Sequence, residues 1–154
     1  VWSYLLDRDQ RLRWIEGMTG MTVDGSADGR LGQGVVMHCA HGKEMLDFEV
    51  VDWRPFETVS MDLRVPLGAV VRTTFELRET PDGTQLEARL KPVSYGKVLG
   101  GLLAKPLLAL GAGKIEASLQ RSFATLVRIV EEDIARGNVE RWQVTARPRV
   151  PSPA

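Results

Sequence analysis

The stretch TTFELRETPDGTQLEARL, residues 73–90, alternates apolar and polar side chains on both sides of a turn. Phe75 and Leu77 alternate with Glu76 and Arg78. Leu86, Ala88 and Leu90 alternate with Gln85, Glu87 and Arg89. A period of two is the mark of a strand with one dry and one wet face. Between the runs lies TPDG, residues 80–83, with proline second and glycine last, as a β-turn prefers. That turn sets Glu79 opposite Thr84, Leu77 opposite Leu86 and Phe75 opposite Ala88. The two dry faces then coincide, and a slip of one residue would set apolar groups against charges. The segment is an antiparallel hairpin, and its neighbours extend it.

Upstream, VRTTFELRE adds Val71 and Thr73 to the dry face. TVSMDLRV, residues 58–65, contributes Val59, Met61, Leu63 and Val65, with Ser60, Asp62 and Arg64 opposite. RPFE, residues 54–57, reads as a four-residue loop that pairs Trp53 with Thr58, Val50 with Met61 and Phe48 with Leu63. Further upstream, VVMHCAHGKEMLDFEVVDW holds both histidines and the single cysteine of the chain. A turn at HG or AHGK pairs Cys39 with Glu44, Met37 with Leu46 and Val35 with Phe48. Cys39 then shares the dry face, His38 the wet face with Asp47 and Glu49, and His41 falls in the turn. Adjacent strand residues point to opposite faces, so His38 and Cys39 cannot hold one metal ion. Paired CxxC spacing is absent as well, and we expect no metal and no cofactor.

The ends of the chain change period. VWSYLLDRDQRLRWIEG opens as a helical region. KIEASLQRSFATLVRIVEEDIARG places Ile115, Leu119, Phe123, Leu126 and Val130 on one helical stripe, and Gly137 is a natural stop. Before it, SYGKVLGGLLAKPLLALGAG reads as an apolar helix broken or kinked at Pro106 and near Gly111–Gly113. GAGK there lacks the spacing and the following Ser or Thr of a phosphate loop. Residues 138–154, with three prolines, read as a linker or disordered tail after a single domain at 1–137. The helical start without methionine leads us to expect a piece of a longer chain, with a fused domain possible beyond the tail.

Composition excludes several classes. Twenty basic and twenty acidic residues give a formal net charge of zero, with no basic stripe for nucleic acid. No apolar run is long enough to span a membrane. One cysteine fits a reducing, cytoplasmic setting. A serine–histidine–acid triad needs an inward histidine, and neither histidine is expected there. The carboxylates Asp47, Glu49, Asp52, Asp62, Glu76 and Glu87 read as a solvated face, so no catalytic residue is assigned.

Taken in order, VWSYLLDRDQRLRWIEG, GQGVVMHCAHG, FEVVDWRPFETVSM, TTFELRETPDGTQLEARL and the glycine-broken apolar helix resemble the SRPBCC superfamily. This START-like, helix-grip group includes polyketide cyclase/dehydrase and lipid-transport proteins. The resemblance covers about residues 1–136. It implies an α+β fold in which a curved antiparallel sheet wraps a long C-terminal helix. It also implies a first strand that this chain lacks, leaving a sheet edge exposed. The family encloses an apolar cavity between sheet and helix. Carried over by position, residues 95–114, with Tyr95, Leu99 and Leu103, would form the mouth or lid. Ile115, Leu119 and Phe123 would form the helix wall. Met61, Leu63, Thr73, Phe75, Leu86 and Ala88 would form the sheet wall, extended by Met37, Cys39 and Phe48. Thr73, Cys39 and Tyr95 are the polar groups that could orient a ligand. The resemblance implies non-catalytic binding of a small hydrophobic molecule such as a lipid, polyketide or isoprenoid. The alternatives are a cyclase/aromatase-type enzyme, or a sensor or interaction module within a longer protein.

Overall fold

The computed structural model describes residues 1–25, 31–65, 68–95 and 98–138, and within the last helix the side chains of 106 and 113 onward. Two short helices, α1 (Trp2–Leu6) and α2 (Arg8–Trp14), precede six strands. The strands are β1 (Met18–Asp24), β2 (Val36–His41), β3 (Glu44–Arg54), β4 (Thr58–Arg64), β5 (Ala69–Thr80) and β6 (Gly83–Tyr95), and α3 (Val98–Ala135) closes the fold. The sheet is antiparallel throughout, in the order β1-β2-β3-β4-β5-β6, so β1 and β6 are its edges. With α3 laid against α2, β5 and β6, the architecture is the expected helix-grip arrangement. Among the described residues no helix is long and apolar enough to cross a membrane.

The β5–β6 hairpin has the expected register, with Glu79 opposite Thr84, Leu77 opposite Leu86 and Phe75 opposite Ala88. The other two hairpins differ in detail. β2 and β3 are joined by Gly42 and Lys43, with His41 opposite Glu44. Gly42 takes φ +62, the glycine-first geometry of a type II′ turn. The loop is therefore GK rather than HG. Cys39 pairs with Leu46 and Met37 with Phe48, two residues from the expected partners. A shift of two leaves every face unchanged. His41 is moved out of the turn: it ends β2 on the same inward face as Met37 and Cys39, half-buried.

Between β3 and β4 the loop is three residues, with Arg54 opposite Thr58 and Trp53 opposite Val59. Phe56 takes the left-handed conformation there, φ 67. Val50 still faces Met61 because Val51 is an extra residue that shifts the register. This bulge turns Trp53 onto the inner face, where its ring meets Trp2 at 5.3 Å. A bulge at Thr19 likewise brings Met18 and Met21, three apart, to the inner face of β1. The broken alternation is why β1 escapes a period-two reading.

The helix does not break. α3 runs for 38 residues with Pro106 inside it, and Gly111 to Lys114 lie within it. Its C-terminus is as expected: Gly137 has φ +71, and the Asn138 N–H donates to the Asp133 carbonyl at 2.9 Å. Residues 139–154, which include nearly all of the expected tail, lie outside the described residues.

Candidate functional site

The inner face of the sheet is graded. Met37, Cys39, Val50, Val59, Met61 and Phe75 are sealed beneath α1, α2 and the C-terminal half of α3. One ladder position away, Phe48, Leu63 and Val71 lie opposite one another across β3, β4 and β5, and all three are only half-buried. Leu46, Thr73, Leu86 and Ala88 are half-buried too. Leu90, expected on the dry face, is 41% exposed, and Ile115, expected on the helix wall, is 44% exposed. An amphipathic strand leaves its apolar face half-wet only where nothing packs on it fully.

The clamps on α3 account for the gradient. Asp133, buried on α3, accepts from Arg13 Nη1 at 2.7 Å, from Arg13 Nη2 at 3.1 Å and from the Tyr4 hydroxyl at 2.7 Å. These donors favour the ionised form and hold its carboxyl at about 2. Glu16, after α2, accepts from Ser118 at 2.7 Å and from two nitrogens of Arg121 at 2.9 Å. Its own N–H donates to Ser122 Oγ. Trp14 stacks on Phe123 at 5.8 Å, and Phe123 meets Phe75 edge-on at 6.1 Å. Leu126 and Ile129 complete this seal. All of these ties hold residues 118–133. The half-wet row ends at Val71, opposite Pro92 on β6, a few residues before α3 begins at Val98.

The expected site residues therefore divide. Met37, Cys39, Met61 and Phe75 belong to the sealed core. Phe48, Leu63, Thr73, Leu86, Ala88, Leu119 and Phe123 are half-buried. Tyr95 ends β6 opposite Ala69, half-buried. Leu99 and Leu103 lie on α3, with side chains outside the described residues.

The inner face also carries a polar group that residue patterns did not flag. Arg11 of α2 is 4% exposed. Its Nη1 donates to the Leu5 carbonyl at 2.7 Å, and its Nε has no partner. The guanidinium faces Cys39 and lies near enough to His41 to act on both electrostatically. Burial raises the Cys39 thiol pKa, and Arg11 pulls against that shift. Burial lowers the His41 pKa, opposed by a backbone hydrogen bond at Glu16 and reinforced by Arg11. The only hint in the sequence is spacing: Arg11 falls three residues before Trp14, on the stripe that a helix this short must bury.

His38 faces outward as expected, with Nδ1 2.7 Å from Asp47 and Nε2 3.2 Å from Asp24. These contacts, Asp47 foremost, raise its pKa. No cluster of metal-ligating side chains occurs among the described residues. A polar hollow of about 280 Å³ at the β4–β5 end is lined by Glu49, Asp62, Arg64, Gly68, Ala69 and Val70. Its charges are paired, Arg64 with Glu49 at 3.0 Å and Asp62 with Arg72 at 2.6 Å.

The family model described as polyketide cyclase / dehydrase and lipid transport matches residues 1–131. The chain belongs to that family. Solved structures agree on the fold of this SRPBCC-type domain. Protein CV1439 from Chromobacterium violaceum is similar with a TM-score of 0.58 and 18% identity, over 84% of this chain and 86% of that one. Protein MLL2253 from Mesorhizobium loti gives 0.53 and 20%, over 82% and 86%. Among curated proteins nothing matches. Family membership suggests a hydrophobic ligand.

Proposed function

We propose that this domain binds a small hydrophobic molecule, of lipid, polyketide or isoprenoid type, without transforming it. The ligand lies between the inner face of the sheet and the N-terminal half of α3. The observation that carries this reading is the row Phe48–Leu63–Val71, which points inward yet stays half-wet beside a core sealed at Met61. Covering that row would remove apolar surface from water at about 25 cal/mol per Å², before the costs of association. Thr73, paired with Leu90 next to the row, offers a hydroxyl for orientation. Leu99, Leu103 and Tyr95 are assigned to the mouth on family grounds.

The test has two parts. Native mass spectrometry of the purified protein should show an apolar molecule that leaves on denaturation. A Val71→Trp variant fills the row, and it should fold while losing uptake of a neutral fluorescent probe such as N-phenyl-1-naphthylamine. Undiminished uptake by the folded variant would place the ligand elsewhere.

A further inference from the structure

An edge strand presents a row of unpaired N–H and C=O groups, and a long flat edge recruits another strand unless something blunts it. The two edges of this sheet differ. β1 has seven residues and is broken by the bulge at Thr19. β6 has thirteen, and from Gly83 to Pro92 it follows β5 through ten consecutive pairs without a shift. Among the described residues β6 pairs with β5 alone. None of its residues is buried; Leu86, Ala88 and Tyr95 are half-buried and the rest are exposed. Pro92 blunts one end of this edge and leaves residues 84–91 open.

The sequence of β6 is complementary to itself. Leu86, Ala88 and Leu90 share the inner face, and Gln85, Glu87, Arg89 and Lys91 the outer one. Run antiparallel to a second copy about Ala88, the strand sets Glu87 opposite Arg89, Leu86 opposite Leu90 and Gln85 opposite Lys91, each twice. Centring the pair on Glu87, Arg89 or Leu90 places like charges face to face. Centring it on Leu86 leaves Glu87 opposite Gln85 and Arg89 opposite Gly83. A centre between two residues opposes inward groups to outward ones. The charges at the Ala88 register have capacity for a second partner. Arg89 is divided between two carboxylates of its own chain, Glu87 at 2.7 Å and Glu76 at 3.2 Å. The Arg89 and Glu87 side chains remain 54% and 46% exposed. Pairing would complete an alternating square of two guanidinium and two carboxylate groups on the outer face. On the inner face it would cover Leu90, which is 41% exposed.

We propose that β6 is a self-association surface. Two copies of this chain pair antiparallel through residues 84–92, about a two-fold axis at Ala88, and join their six-stranded sheets into one. The opposed Glu87–Arg89 pairs set the register, and the main-chain groups of the open edge supply the hydrogen bonds.

So short a pairing makes a small interface, and the dimer is expected to dissociate in the micromolar range. Sedimentation velocity on the whole chain, from about 1 to about 200 µM, should show monomer passing to dimer. Glu87→Arg and Arg89→Glu each put like charges across both pairs, and each should weaken the dimer about tenfold or more. Mixed in equal amounts, the two variants should form a heterodimer at least as tight as wild type, because one strand then carries two cations and the other two anions. Circular dichroism establishes that each variant is folded, and rescue on mixing is a result that no folding defect mimics. A wild type that stays monomeric throughout overturns the proposal. So does a dimer that the single variants leave unchanged, or a mixture that fails to associate. Hydrogen exchange adds a second readout: outward amides of β6 should slow as the dimer forms. Slow exchange already in the monomer would mean that another segment of the chain covers this edge, and would overturn the proposal as well.

Discussion

Met61 and Leu63 lie two apart on β4 and point the same way, yet the structure assigns them different fates. Met61 is 1% exposed beneath the helices, between Val50 and Thr73. Leu63 is half-buried in the row we assign to ligand. Truncating each to alanine measures that difference directly. Met61→Ala removes a fully packed side chain and leaves a void that its neighbours cannot close, a cost of about 3 kcal/mol. Leu63→Ala removes a group already partly in water, with no tight cavity behind it. About half of its methylene burial is lost, so the cost is about 1 kcal/mol. For a domain of this size each kcal/mol moves Tm by about 2–4 °C. The expected shifts are therefore about 9 °C and about 3 °C. Circular dichroism through reversible thermal and urea unfolding reads both, with an unchanged urea slope confirming that the denatured state is not the cause. Equal losses would refute the reasoning, because they would mean that Leu63 is as tightly packed as Met61 and the row holds no open space.

The two histidines should titrate in opposite directions in an NMR pH series. His38, held by Asp47 and Asp24, should titrate above the ordinary 6.5 and His41 below it, with His38→Gln deleting the upper transition. The stability from His38 is complete below its unfolded pKa and fades as pH rises through its folded one. His41 acts conversely, its buried neutral ring losing ground as pH falls below 6.5. Asp133 has a depressed pKa, so its contribution is present above pH 3.8 and lost as pH falls toward about 2. The urea midpoint of wild type should drop across that window, and Asp133→Asn should flatten the drop; an identical slope in the variant would contradict the clamp. Gly42→Ala should cost about 1 kcal/mol by urea unfolding, because an added Cβ meets nothing within 4 Å while φ +62 strains any L side chain. A neutral result would mean that the turn is not type II′.

How much of this was legible depends on what each feature is made from. The β5–β6 hairpin was readable because PDG chemistry and period-two alternation point to one register. The face of Cys39 was readable even though its partner was misplaced, since any even shift conserves faces. The inward position of Trp53 was not readable, because it depends on an extra residue at Val51 that no local preference announces. β1 was hidden for the same reason, its alternation broken at Thr19. The helix was expected to break or kink at Pro106 and near Gly111–Gly113, but it runs on through both, because a proline inside a helix removes one hydrogen bond and need not end it. Of the site, the apolar lining was legible in the strands. Its division into sealed and half-wet parts was not, because that follows from where α3 is tied.

By itself the sequence determined the α+β class, the antiparallel sheet and the inward faces of its central strands, since these are carried by local periodicity and turn chemistry. The tertiary structure alone decided that Arg11 shares a buried neighbourhood with Cys39 and His41. It also decided that Tyr4, Arg13 and Asp133 form one clamp, and that the inner face is sealed at Met61 but only half-buried at Leu63. Those relations join residues 28 to 129 positions apart, and only the docking of helices on the sheet sets distance and burial across such a gap.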